Sequence, residues 1–316
     1  LRFDLLVLGG GPGGYSAAIR AAQLGAKVAL VEKEFLGGTC LNRGCIPTKF
    51  LASAVSLLED FRKAPFYGVA VENLKFDLSK LRERKREIVE RARRGLENLL
   101  SSYDVKVFYG FGKFKSPSML EVSSRNGGFT LEASKIILAS GSRCPDKEKL
   151  FPSVSGLLTT DEALELEDLP GSLLVVGGGP AGLELASIYA EIGCEVTVAE
   201  MFSQLLPGED AEIASLLEFS LAQRGLKILT GAKLASLANK NGKVKAVFED
   251  GRAVEAEKVL LAFGRKANVE GLGLEKVGVE VVGGKVQVDA YQQTRVPEIF
   301  AVGDVTGGLY AHTALM

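Results

Sequence analysis

The chain opens on an apolar run, Phe3 to Leu8 broken only by Asp4, that predicts a strand buried on both faces. Gly9, Gly10, Gly11 and Pro12 interrupt it, small and apolar positions then recur at helical spacing as far as Gly25, and a second apolar run, Val28 to Val31, closes on Glu32. The same succession returns later. Laying Phe3–Glu32 over Gly171–Glu200, an offset of 168 residues, superposes two strand-turn-helix-strand patterns without a gap. Between the copies, residues 76–104 carry a charged helical pattern, and VKVFYG, SMLEVSS and FTLEASKIILAS read as strands. Three further strands are predicted to run into small-residue turns: SKIILASGSR, EKVLLAFGRKAN and TRVPEIFAVGDV, the last placing Asp304 at a strand's carboxyl end. The expected architecture is α/β and doubly wound.

Each repeat carries G-x-G-x-x-G directly after a strand and at the opening of a helix. In that context Gly9 and Gly177 make the tight turn, Gly11 and Gly179 let backbone N–H groups approach a pyrophosphate, and Gly14 and Gly182 permit close packing of helix on strand. Glu32 and Glu200 end the second strands, where a carboxylate can accept from ribose hydroxyls. One such turn is weak evidence; two with the acid at the same spacing predict two dinucleotide sites. Around Glu200, VAEMFSQLL offers no basic residue for a 2′-phosphate, so NAD is the coenzyme expected at the second site.

Composition narrows the field. At 316 residues the chain can hold two nucleotide-binding lobes, and 38 basic against 39 acidic residues give a net charge of -1 and no global case for nucleic acid or an anionic membrane. The basic residues of the 76–104 helix read as a solvated face. No apolar run reaches the ~18 residues of a spanning helix, and the start lacks the form of a signal peptide. The expectation is a soluble, cytoplasmic protein. Leu1 standing where a Met would open a chain suggests a fragment.

Four cysteines are too few for a secreted disulfide framework. Cys144 and Cys194 read as inert thiols. Cys40 and Cys45, five positions apart in GGTCLNRGCIPTK, fit zinc poorly, because no second pair accompanies them and His312 is the one histidine. What remains is a redox couple beside the first nucleotide unit. Pro47 and the apolar run after it place Cys45 at or just inside a helix start, where the dipole favours a thiolate. A dithiol exchanges two electrons and NADH carries two as hydride, so the pattern calls for an intermediary, FAD on the first unit.

GGGPGG, GGTCLNRGCIPTK, ASGSR, GGGPAGLE, AFGRKANVEGLGLEKVGV, FAVGDV and AHTALM, in that order, make the chain resemble the flavoprotein disulfide reductases, and within them the lipoamide-oxidising branch. The departures are small: ASGSR stands where Ala-Thr-Gly-Ser is more usual, and Pro180-Ala181 sits inside the second glycine turn. The resemblance implies two Rossmann-like domains, the NAD domain (143–265) inserted into a discontinuous FAD domain (1–142 and 266–316). It implies that Cys45 faces the flavin, that Cys40 exchanges with the substrate disulfide, and that Lys49 sits near the flavin and pairs with Glu184. It further implies that Gly38, Thr39, Gly112, Ser140, Gly141 and Ser142 line the FAD, that Asp304 holds its ribityl chain, and that Leu309, Ala311 and His312 complete the site. Leu234 and Gly264 would flank NAD, with no metal involved.

The implied partner is a lipoyl-bearing protein of a 2-oxoacid dehydrogenase or glycine cleavage complex. Other disulfide or mercuric reductases, and a non-catalytic flavin-binding module, are the competing readings. The family continues into a dimerisation domain of roughly a hundred residues, a normal domain size, which carries an acid/base histidine and builds a homodimer. The expectation for a chain stopping at AHTALM is therefore efficient electron transfer from NADH to artificial acceptors and poor turnover of lipoamide.

Overall fold

A computed structural model describes residues 1–125, 127–165, 167–307, 311 and 314. Its helices are α1 (Pro12–Gln23), α2 (Gly38–Arg43), α3 (Cys45–Lys63), α4 (Leu78–Ser102), α5 (Lys147–Leu150), α6 (Thr160–Ala163), α7 (Pro180–Glu191) and α8 (Ala211–Gln223). Among the described residues, no helix is long and apolar enough to cross a membrane.

The chain divides into two compact units, one comprising residues 1–46, 87–143 and 266–316, the other 47–86 and 144–265. The segment 47–86, read from sequence as part of the first domain, therefore groups with the second. The reason is packing: Leu51, Val55 and Leu81 are buried in one apolar cluster with Val175, Leu183 and Ile188. Helical periodicity supplies such a face but does not say what it will meet.

In the first unit the strands 106–109, 28–32, 2–8 and 127–138 lie side by side and parallel, and 299–301 adds to the far half of 127–138. The near half of 127–138 pairs antiparallel with 119–124, which pairs with 111–116. Residues 28–32 are buried throughout, as a central parallel strand covered on both faces must be. Strand 2–8 has its successors on opposite sides, 28–32 on one and 127–138 on the other. That makes the carboxyl end of strand 2–8 a switch point, where open α/β sheets bind ligands.

The second unit repeats the plan. Its five parallel strands run in the order 227–229, 195–199, 172–176, 258–261, 157–159, with 172–176 at the switch. An antiparallel meander of 234–240, 243–248 and 253–256 follows, an element with no counterpart in the sequence reading.

Candidate functional site

Strand 2–8 delivers the chain to Gly9, whose φ of +111° suits glycine alone, and α1 begins three residues later with Pro12 in its first turn. A Cβ on Gly14 would lie 1.9 Å from the Gly9 carbonyl oxygen, so the third glycine of the motif lets the helix rest on its own turn. The second unit reproduces this: Gly177 has φ of +115°, and a Cβ on Gly182 would lie 2.1 Å from the Gly177 oxygen. Neither Gly11 nor Gly179 supplies a side-chain cap, so the first N–H groups of α1 and α7 are left for an anion. A Cβ on Gly179 would meet nothing within 4 Å, and one on Gly11 would meet the Gly38 Cα at 3.7 Å. Both openings fit a pyrophosphate.

The acids do more than wait for a ribose. Glu32 Oε2 accepts the Gly10 N–H at 2.7 Å and its Oε1 accepts the Glu34 N–H at 2.8 Å. Glu200 does the same with Gly178 at 2.6 Å and Phe202 at 2.9 Å. Both carboxylates are buried, 8% and 4% exposed, yet an ionised carboxylate has about four acceptor positions, so two remain for sugar hydroxyls. Each acid thus braces the glycine turn it serves.

Close to the first turn lies the thiol pair. A Cβ on Gly38 would stand 2.6 Å from the Gly11 Cα, so glycine at 38 is what brings the start of α2 against the first glycine turn. Thr39 and Cys40 follow on α2, half-buried; Cys45 opens α3 and is exposed. Helix α3 therefore presents its N-terminal dipole to Cys45. Tyr15 on α1, which the sequence reading overlooked, has its phenol held above the ordinary value of 10.0 by burial and then by the negative field of Cys40 and Cys45. It is a neighbour of both thiols.

One turn beyond Cys45, Lys49 forms an ion pair with Glu184 of α7. Both belong to the second unit and both are partly exposed. The pair holds the Lys49 cation of α3 against the carboxylate of α7, the helix that the second glycine turn starts.

In the first unit, Ser142 donates to Asp304, joining the end of strand 127–138 to the turn after strand 299–301. Asn268, also overlooked, clasps the 140–142 turn: its backbone N–H donates to Gly141 O at 2.9 Å, its amide to Ser140 O at 2.9 Å, and its carbonyl accepts from the Ser140 hydroxyl at 2.7 Å. Gly112 is an inward-packed position; a Cβ there would strike Leu8 Cδ1 at 2.5 Å. Leu234 begins the meander two residues after Ala232, whose N–H donates to Glu200 O at 2.8 Å. Gly264 has φ of +120° and follows strand 258–261, beside the Gly177 turn. Ala311 is half-buried, while Leu309 and His312 lie outside the described residues.

Two glycine-turn units on parallel sheets, with a pair of thiols set against the first, define a nucleotide-dependent thiol oxidoreductase. The model of the pyridine nucleotide-disulphide oxidoreductase family matches residues 3–316, and the chain belongs to that family. Among curated relatives it is 39% identical to a dihydrolipoyl dehydrogenase of Bacillus subtilis over 327 residues, covering 99% of this chain and 69% of the relative. A dihydrolipoyl dehydrogenase of Zymomonas mobilis is 40% identical over 318 residues, covering 99% and 68%. Among solved structures, LpdA from Mycobacterium tuberculosis superposes with a TM-score of 0.90 at 31% identity, covering 99% of this chain and 70% of that one. The HOCl-induced flavoprotein disulfide reductase RclA from Escherichia coli, as its Cu(II) complex, gives 0.87 at 29%, covering 100% and 69%. The chain thus spans about two thirds of the length of these proteins.

Proposed function

We propose that this chain carries the thiol-to-nicotinamide electron path of a dihydrolipoyl dehydrogenase, with FAD in the first unit and NAD in the second. The observation that carries the reading is the Cys40–Cys45 pair held on the first glycine turn by Gly38. In the first unit, the α1 N-terminus and Gly11 would take the FAD pyrophosphate, Glu32 its ribose, and Gly38, Thr39, Ser140, Gly141, Ser142 and Asp304 the remainder, with Ala311, Leu309 and His312 completing the site. In the second, the α7 N-terminus with Gly179, and Glu200, Leu234 and Gly264, would hold NAD. When bound, FAD supplies a two-electron relay between thiols and nicotinamide.

The chain's own residues account for the thiol chemistry. A thiolate of dihydrolipoamide attacks the Cys40 sulfur of the Cys40–Cys45 disulfide, and Cys45 leaves as a thiolate stabilised by the α3 dipole. The second substrate thiol then attacks the mixed disulfide, releasing the lipoamide disulfide and Cys40. Two electrons have entered the pair, and the two substrate thiols have given up two protons, one before the attack. The electrons leave with one of those protons as NAD+ becomes NADH, and the other proton is released. Lys49, oriented by Glu184, supplies a fixed positive charge on the helix that Cys45 begins. A lipoyl-bearing protein of a 2-oxoacid dehydrogenase complex is the partner this reading supplies.

The test is a half-reaction on flavin-loaded protein. Under anaerobic conditions, dihydrolipoamide should convert Cys40 and Cys45 from alkylation-resistant to doubly alkylated, as read by peptide mass, and glutathione at the same thiol concentration should do so far more slowly. Reduction by glutathione as fast as by dihydrolipoamide would remove the lipoamide assignment; no change at either cysteine would remove the reading altogether.

A further inference from the structure

The turn between the two thiols is fastened at its middle. Asn42 sits in it, and its amide nitrogen donates to Leu36 O at 2.9 Å and Gly38 O at 2.8 Å, tying the turn to the loop before it. Both amide hydrogens are spent there, so Oδ1 points the other way. It accepts from Arg93 of α4 twice, from Nε at 3.1 Å and from a terminal guanidinium nitrogen at 2.8 Å. A guanidinium only donates, so the pair admits one orientation of the amide. Arg93 is itself held flat, its Cζ 3.9 Å from the centroid of the Phe35 ring. The neighbouring Arg43 pairs with Glu34. Phe35, Asn42 and Arg93 all belong to the first unit.

We propose that Arg93 is a positioning residue that sets the disulfide–dithiol equilibrium of Cys40 and Cys45 by bracing Asn42; the proposal rests on the redox reading of that pair. Closing a disulfide demands a narrow range of sulfur geometry, and a turn already held compact loses less chain freedom on closing. The brace therefore favours the disulfide. Releasing it lets the dithiol spread among more conformers and favours the reduced pair. In glutathione the exchange balances as two glutathione thiols plus the disulfide giving the Cys40–Cys45 dithiol plus glutathione disulfide, two electrons passing into the pair. The brace acts through the freedom it denies the open dithiol, about that of one ordered residue, so its loss should move the equilibrium about tenfold.

Charge and bracing act in opposite directions, which makes the proposal separable. A guanidinium near a thiolate stabilises the reduced form, so if charge governed, its removal would favour the disulfide. Arg93→Lys keeps the charge but has neither the two-pronged donor nor the flat face that lies on Phe35.

The experiment equilibrates flavin-loaded wild type, Arg93→Ala, Arg93→Lys and the exposed neighbour control Arg94→Ala in graded glutathione buffers, traps thiols with acid and alkylation, and reads Cys40 and Cys45 by peptide mass. Arg93→Ala and Arg93→Lys should both become half-reduced at about a tenfold lower ratio of squared thiol to disulfide concentration, with Arg94→Ala unchanged and far-UV circular dichroism the same for all. Variants that match wild type, a shift toward the disulfide, or an Arg93→Lys that behaves as wild type overturns the brace. A wild-type pair that forms no disulfide at any ratio instead overturns the redox reading of Cys40 and Cys45.

Discussion

Glu200 reaches back to Gly178, accepting its backbone N–H at 2.6 Å from the far end of the next strand, and Glu32 reaches back to Gly10 in the same way at 2.7 Å. The repeat is therefore one of hydrogen bonds as well as of sequence. An acid identified for its use to a ribose turns out to be part of the scaffold that shapes the phosphate turn. Changing it must disturb both roles, and its variants have to be chosen to separate them.

Glu200→Gln keeps the size and one good acceptor but removes the charge. Its NH2 must face one of the two backbone donors, so it should cost part of the stability that the alanine variant loses, and it should narrow the preference for NADH over NADPH by about tenfold, the worth of ~1.4 kcal/mol, because the negative group facing a 2′-phosphate is gone. Glu200→Ala should instead leave the Gly178 and Phe202 donors unpaired at a buried position and cost about 2–4 kcal/mol of stability. Coenzyme titration and urea unfolding read the two effects separately. NADPH binding the unmodified protein as tightly as NADH would refute the coenzyme assignment.

Gly14→Ala and Gly182→Ala place a Cβ 1.9 and 2.1 Å from a carbonyl oxygen of the turn beneath, closer than atoms can stand. Each should spoil one nucleotide turn and spare the other. Gly182→Ala is expected to retain flavin and lose NADH binding, and Gly14→Ala to do the reverse. Flavin absorbance after gel filtration and NADH fluorescence measure the two. Equal loss of both ligands in either variant would show that the turns do not act independently.

How much of this was legible in the chain follows from the range of each interaction. The glycine turns, their strands and the helix start at Cys45 are local, and periodicity and spacing reveal them. The pairing of strand 127–138 with antiparallel strands along one half and with 299–301 along the other is not local, and the strand 111–116 carries no pattern of its own between two strand signals. Asn42 and Arg93 stand 51 residues apart, and Asn268 clasps Ser140 across 128. An asparagine in a loop and an arginine on a charged helix carry no mark of each other. Gly112 is of another kind: the resemblance implies a ligand contact for it, and the structure adds that a side chain there would strike Leu8, a constraint that no local pattern reveals.

Lys85 supplies a pH prediction. It is 3% exposed, donating to Leu164 O at 2.6 Å and Glu165 at 3.0 Å, and burial holds its ammonium below the ordinary value of 10.5, the Glu165 carboxylate offsetting only part of that. Between the depressed folded value and 10.5 the unfolded chain binds the additional proton, so this residue's contribution to stability rises with pH across that window and is flat below it. In Lys85→Met the rise should vanish, while Glu165 keeps Arg86 as a partner at 3.5 Å. Urea unfolding of both proteins at about pH 7 and about pH 10 should show the wild type gaining on the variant at the higher pH. A constant difference would mean that the ammonium is not penalised by its surroundings.

The roles of the two thiols are the last point at issue, and their order along the chain makes them testable. Cys45 stands at the first position of a 19-residue helix, where the dipole stabilises a thiolate, and Cys40 lies half-buried within the short helix before it. If Cys45 is the thiol that faces the flavin, Cys45→Ser should abolish the long-wavelength absorbance that a thiolate beside an oxidised flavin produces. Cys40→Ser should leave a permanent thiolate and show that band without any reductant. The same asymmetry should appear in alkylation: on that assignment, iodoacetamide should consume Cys40 first in the flavin-loaded, reduced wild type, because a bound ring would cover Cys45, which is the more exposed thiol without it. A band that survives in Cys45→Ser and is lost in Cys40→Ser would exchange the two assignments, and with them the direction in which electrons cross the pair.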